Sequence, residues 1–118
     1  TEPAKQYTEA ELKERKRLLL EKAKVLIAKW EPVMGVKASG ITIRQMKTRW
    51  GSCNVKTHHI NLNLALLDMP EECLEYVVVH ELTHILEASH NGRFWGYMTA
   101  FYPDWKRVRK SLNNWNPT

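Results

Sequence analysis

The stretch YVVVHELTHILEASH, residues 76–90, sets two histidines four apart, a glutamate directly after the first, and a third histidine six residues beyond the second. An α-helix advances so that positions four apart lie only about 40° from one another around its axis. His80 and His84 therefore project from one face, where both imidazoles can reach a single ion. Glu81, adjacent to the first of them, points off that line. Its carboxylate is placed to take a proton from a metal-activated water instead of filling the coordination sphere. The apolar run of residues 76–79 buries one side of the same helix, and imidazoles buried without a partner would be costly. The pattern predicts a metal site, H-E-x-x-H, on a helix packed into the core.

A catalytic zinc commonly takes three protein ligands and leaves a fourth corner to water. His90 is the first candidate for the third ligand, provided that the helix ends near Leu86 or Glu87 and a tight turn through Ala88 and Ser89 brings the ring back. Metallopeptidases of the metzincin type use the same spacing but place a glycine where this chain has Glu87. Asp104 is the rival ligand, although its reading as the N-cap of the last helix is the stronger one. Imidazole also suits manganese, nickel and cobalt, so these are alternatives to zinc.

The other reactive side chains have plainer readings. His58 and His59 fall in a turn and strand start and are expected to be exposed. Cys73, two turns before His80, suits the core. Trp50, Phe94 and Trp95 are expected to brace the metal helix. Cys53 as a thiolate covering the ion is the weaker reading of that residue. Arg49 is placed either to hold a substrate carboxylate or to pair with an acidic neighbour. Arg49, Tyr97, Tyr102 and the ion itself are the candidates for stabilising an oxyanion.

Working outward, Thr8 and Glu11 have the spacing of a capping box, which predicts a helix start. Leu12, Leu19, Ala23, Leu26 or Ile27, and Trp30 then recur at helical spacing until Pro32 and Gly35 interrupt them. The intervening KERKR is a solvated face. Residues 41–46 and the segment HHINLNL alternate, predicting two or three short strands with a turn near Asn54–Thr57. The strand HINLN, if its edge is open, would pair with an extended peptide next to the ion. Pro70, Glu71 and Glu72 mark the entry to the metal helix. Asn91 is read as the cap of a third helix through Tyr102, and Pro103-Asp104 as the break before a last one, WKRVRKSLNNW.

The 118 residues suit one domain, 1–118, and at 43% hydrophobic and 26% charged the composition is that of a globular protein. No apolar run approaches the roughly 18 residues of a membrane span. Cys53 and Cys73 form neither a disulfide framework nor a C-x-x-C cage, and no signal sequence is evident, so a cytoplasmic setting is expected. The net charge of +5 is spread among glutamates and is only a weak pointer to nucleic acid.

The segments KTRWGSC (47–53), INLNLALLDMP (60–70), YVVVHELTH (76–84), HNGRFW from His90, and YPDW (102–105) resemble, together and in this order, the YgjP-like metallopeptidases, which are related to SprT-like proteins. The resemblance runs from about residue 9 to residue 114. It implies zinc held by His80, His84 and His90, with Glu81 as general base and a turn to the third histidine that needs no glycine. Typical members carry a further β-rich region ahead of this part, so the chain is read either as the excised C-terminal part of a longer protein or as a shortened homologue. The expected architecture is α+β: a minimal zincin-like domain with helices packed on a small twisted β-sheet and HExxH on the central helix. The expected activity is zinc-dependent hydrolysis of a peptide or protein substrate. The alternative is a nucleic-acid-associated module in which the metal is mainly structural.

Overall fold

The computed structural model describes residues 6–114. Helix α1 (Glu9–Met34) begins at Thr8, whose hydroxyl accepts from the Glu11 N–H while the Glu11 carboxylate accepts from the Thr8 N–H, so the capping box is present. Leu19, Ala23 and Ile27, spaced by four, are its buried stripe. Pro32 does not end the helix. It lies in the last turn, where losing one N–H forfeits a single hydrogen bond, and the chain stays helical to Met34. Gly35 then stops it at φ 69, a left-handed conformation that glycine adopts without strain.

Three strands follow: β1 (Gly40–Arg44), β2 (Gly51–Cys53) and β3 (His59–Asn63), in sheet order β1-β3-β2. β3 pairs parallel with β1, Ile41 opposite Ile60, and antiparallel with β2, Ser52 opposite Asn61. The β2–β3 turn lies where the pattern predicts it, with Asn54 Oδ1 accepting from the Lys56 and Thr57 N–H groups. HINLN is therefore the middle strand. Both its edges are occupied, which overturns the expectation that it offers an open edge to a peptide. Its edges are taken by β1 on one side and β2 on the other, while Ile60 and Leu62, fully enclosed, set one face of it in the core. The apolar run then continues as a 3-10 helix, Leu64–Asp68, started by Asn63.

Helix α2 (Glu71–Leu86) carries the HELTH motif and packs against α1, β2, the 3-10 helix, and the two helices that follow, α3 (Gly92–Phe101) and α4 (Trp105–Asn113). Val78, Val79 and Leu82 of α2 join Leu19 of α1, Leu62 of β3 and Phe94 of α3 in the fully buried core. Asn91 caps α3 through its side chain, as predicted. Asp104 stands at the N-cap position of α4 but makes no capping bond. Its carboxylate instead accepts from Arg107, which also reaches Glu72 at 2.7 Å and so ties α4 to the start of α2. α4 ends at Asn113 with Asn114 as its C-cap, and Trp115, to which the pattern extends it, lies outside the described residues. No helix is long and apolar enough to cross a membrane among the described residues.

Candidate metal centre and cleft

The first four turns of α2 set His80 and His84 on one face, and the chain leaving the helix returns His90 to them. One ring nitrogen from each of the three histidines lies within 4.8 Å of the others, and among the described residues no other trio of such donors occurs. His80 Nε2 and His90 Nε2 are 3.2 Å apart. Two nitrogens bound tetrahedrally to zinc at its usual bond length stand about 3.3 Å apart, so this pair has the spacing of two ligands of one ion. The donor set fits a divalent transition metal.

The turn to His90 works without glycine because Glu87 is extended, at φ −147, and not left-handed. The Glu87 N–H donates to Thr83 O, closing the helix, and its carboxylate accepts from the Ser89 N–H. Any residue can take that backbone conformation.

The neighbours orient the rings. His84 Nδ1 donates to Glu87 O at 3.3 Å, which leaves the Nε2 lone pair for an ion. The Tyr76 hydroxyl, one turn before His80, lies 3.4 Å from His80 Nδ1. Phe94, fully buried, backs all three imidazoles with ring centroids 4.9, 4.6 and 4.9 Å from those of His80, His84 and His90. Trp95 stacks on His90. The expected bracing role of Phe94 and Trp95 is thus seen in their contacts, while Trp50 packs half-buried against the core.

Burial pushes His80 down to about 3, helped by the charges of His84, His90 and Arg109. Burial and His90 lower His84 as well. Both are neutral lone-pair donors at physiological pH, the form a metal requires. Glu81 is only 4% exposed. Burial pushes its carboxyl up to about 8, against the pull of Arg49. A cation held by the adjacent imidazoles would favour its ionised form.

A cleft of about 500 Å³ opens onto the three histidines and Glu81. One wall is the segment 48–53, which includes Arg49, β2 and Cys53; another is Arg109, Leu112 and Asn113 at the end of α4. β2 rests directly on α2, because Gly51 has no side chain: a methyl group there would lie 2.9 Å from Val77 Cγ1 and 3.1 Å from Glu81 Oε2. The loop before β2 is pinned from beneath by Asn63, 2% exposed, whose amide donates to Met46 O at 2.9 Å and Arg49 O at 2.8 Å.

The remaining candidates divide between those that hold and those that do not. Asp104 is not in the donor cluster, being occupied by Arg107. Tyr97 meets the Arg93 guanidinium, and the Tyr102 hydroxyl donates to Glu72 O; neither lines the cleft, so of the protein groups considered for an oxyanion only Arg49 does. His58 and His59 are half-buried instead of exposed, and His59 Nε2 is 2.7 Å from the Thr42 hydroxyl, away from the triad. Cys73 is core. Cys53 lines the cleft, but burial and the Glu81 charge push its thiol up to about 11, which disfavours the thiolate. Gly51, Asn63, Tyr76 and Arg109 were not singled out. Tyr76 was legible as a residue one turn before His80, whereas the others depend on which elements meet.

A family model described as "YgjP-like, metallopeptidase domain" matches residues 1–115. Two solved structures share the fold. The metallopeptidase zymogen of Pyrococcus abyssi abylysin is 23% identical with a TM-score of 0.69, covering 76% of this chain and 90% of that one. The metallopeptidase zymogen of Methanocaldococcus jannaschii jannalysin is 22% identical with a TM-score of 0.65, covering 78% of this chain and 94% of that one. No curated protein sequence matches significantly.

Proposed function

The chain belongs to the YgjP-like metallopeptidase family, and from that premise we propose that it hydrolyses peptide bonds with zinc held by His80, His84 and His90 and Glu81 as general base. The observation that carries this reading is the meeting of three imidazole nitrogens within 4.8 Å, beside a buried carboxylate, on the floor of an open cleft. Zinc, when bound there, supplies a Lewis acid that acidifies water to a pKa near 7 and polarises a carbonyl. Manganese, nickel or cobalt suits the same nitrogens.

The protein's own groups do the rest. The Glu81 carboxylate accepts a proton from the attacking water and delivers it to the amide nitrogen as the C–N bond breaks, so that hydroxyl ends on the acyl carbon and hydrogen on the amine. β2 pairs with β3 along one edge only, among the described strands. Its other edge lies in the cleft wall and is the place for an extended peptide to pair, in the role first expected of β3. Arg49 faces the same space. The two free cysteines suit a reducing cytoplasm.

Glu81→Gln is expected to keep its metal and lose turnover by orders of magnitude, measured by metal analysis and peptide cleavage on the same sample. His90→Ala is expected to lose most of its bound metal. Turnover in Glu81→Gln equal to wild type would overturn the assignment, and unchanged occupancy in His90→Ala would remove that ligand. Salt-dependent DNA affinity untouched by Glu81→Gln, with no cleavage, would instead point to a nucleic-acid module with a structural metal.

A further inference from the structure

Two guanidinium groups line the cleft from separate elements, Arg49 from the segment entering β2 and Arg109 from α4. The Arg109 guanidinium is set in place by its surroundings, and the backbone that carries Arg49 is fixed. The Arg109 guanidinium lies 5.1 Å over the Trp95 ring, which itself stacks on Trp105 at 4.4 Å and on His90 at 5.9 Å. The backbone at Arg49 is pinned by the buried Asn63 amide. Arg15, Arg17 and Arg107 each hold a carboxylate, yet among the described residues neither Arg49 nor Arg109 has one within salt-bridge distance. Among the described residues the one carboxylate lining the cleft is Glu81, which is 4% exposed and lies beneath the site.

The cleft therefore presents two cations to whatever enters it, Arg109 held over Trp95 and Arg49 on a fixed stretch of backbone. A neutral peptide would leave Arg109 to water and Arg49 with only the buried Glu81 carboxyl to act on. A carboxylate would accept a planar, charge-assisted pair of hydrogen bonds from either guanidinium. The open β2 edge in the same wall suits an extended backbone, which favours a peptide as the bearer of that charge over stacked nucleotide bases. We propose that Arg49 and Arg109 are specificity-determining residues that select peptides carrying a carboxylate close to the scissile bond, either an acidic side chain or a free C-terminus. This rests on the peptidase reading above and names the substrate class of the same cleft.

Zinc-loaded Glu81→Gln protein, which is expected to bind without turning over, is titrated with four labelled peptides of one length. They pair an acidic or amide side chain with a free or amidated C-terminus, and binding is read by fluorescence anisotropy. Carboxylate-bearing peptides are expected to bind about tenfold more tightly than the fully neutral one. Tighter binding of the acidic amidated peptide identifies a side-chain carboxylate; tighter binding of the neutral free-acid peptide identifies the C-terminus. Adding Arg49→Ala or Arg109→Ala should erase most of the advantage. Lys24→Ala, in a separate groove, should leave it intact.

Equal affinity for all four peptides, or an equal loss with Lys24→Ala, would overturn the proposal. So would a single-stranded oligonucleotide that binds more tightly than any peptide and loses affinity with the same two arginine variants. Hydrolysis of neutral and acidic peptides by the wild type at equal kcat/KM would sink the arginine pair and leave the peptidase standing. Selective carboxylate binding with no hydrolysis of any peptide would do the reverse.

Discussion

Gly51 and Glu81 are in such close apposition that a methyl group on the first would lie 3.1 Å from Oε2 of the second. The wall of the cleft and the candidate general base thus share one packing contact, and the same methyl would press on Val77 Cγ1 at 2.9 Å and on the Asn61 carbonyl at 3.1 Å. Backbone cannot yield as a side-chain tip can. Gly51→Ala is expected to destabilise the fold by about 1–3 kcal/mol, the usual range for overpacking. It should also lower kcat/KM by displacing β2 from α2. Urea denaturation and peptide cleavage check both; a variant as stable as wild type would show that the sheet can lift off the helix freely.

Asn63 satisfies three backbone groups at once: it donates to Met46 O and Arg49 O and accepts from the Ala65 N–H. Asn63→Ala takes the partner from these part-buried groups and is expected to cost about 1–3 kcal/mol. Hydrogen exchange should quicken across residues 46–51 while the amides of α2 keep their protection. Uniform acceleration over the whole chain would mean that Asn63 serves global stability only.

Phe94 touches every imidazole of the triad, so its removal should be felt twice. Phe94→Ala is expected to cost about 3–5 kcal/mol, as for other buried phenylalanines, and to weaken zinc affinity by letting the rings tilt. Phe94→Leu should recover most of the stability but less of the metal affinity, because a branched aliphatic group fills volume without presenting a flat face. Competition with a chromophoric chelator and thermal unfolding separate the two effects. Proportional recovery of both would count against a ring-orienting role.

The Tyr76 hydroxyl is the polar group facing His80 Nδ1, at 3.4 Å. Tyr76→Phe is expected to reduce metal affinity by up to about tenfold, at the low end for a group that orients a ligand, because the contact is long. Global stability should change little, since the ring stays in place. An unchanged zinc affinity would show that the hydroxyl does not steer His80.

Much of this molecule follows from short-range rules acting on neighbouring residues. The Thr8–Glu11 capping box, the Asn91 cap, the Asn54 turn and the placing of His80 and His84 on one face of α2 all depend on spacings of a few residues. Local geometry is nearly the same in any fold, so these were readable in one dimension. Even the return to His90 belongs here, because an extended Glu87 is open to any side chain.

What lay beyond the sequence was everything decided by chain segments distant from one another. The parallel pairing of β1 with β3 puts HINLN in the middle of the sheet and leaves β2 to border the cleft, and no alternation pattern distinguishes a central strand from an edge one. Nothing in the spacing around Gly51 marks it as the point where β2 lies on Glu81, and nothing around Arg109 marks it as a residue that lines the cleft. Local order is set by the energetics of successive residues, whereas the walls of the cleft are set by which apolar faces bury one another, a condition that only the packed chain satisfies.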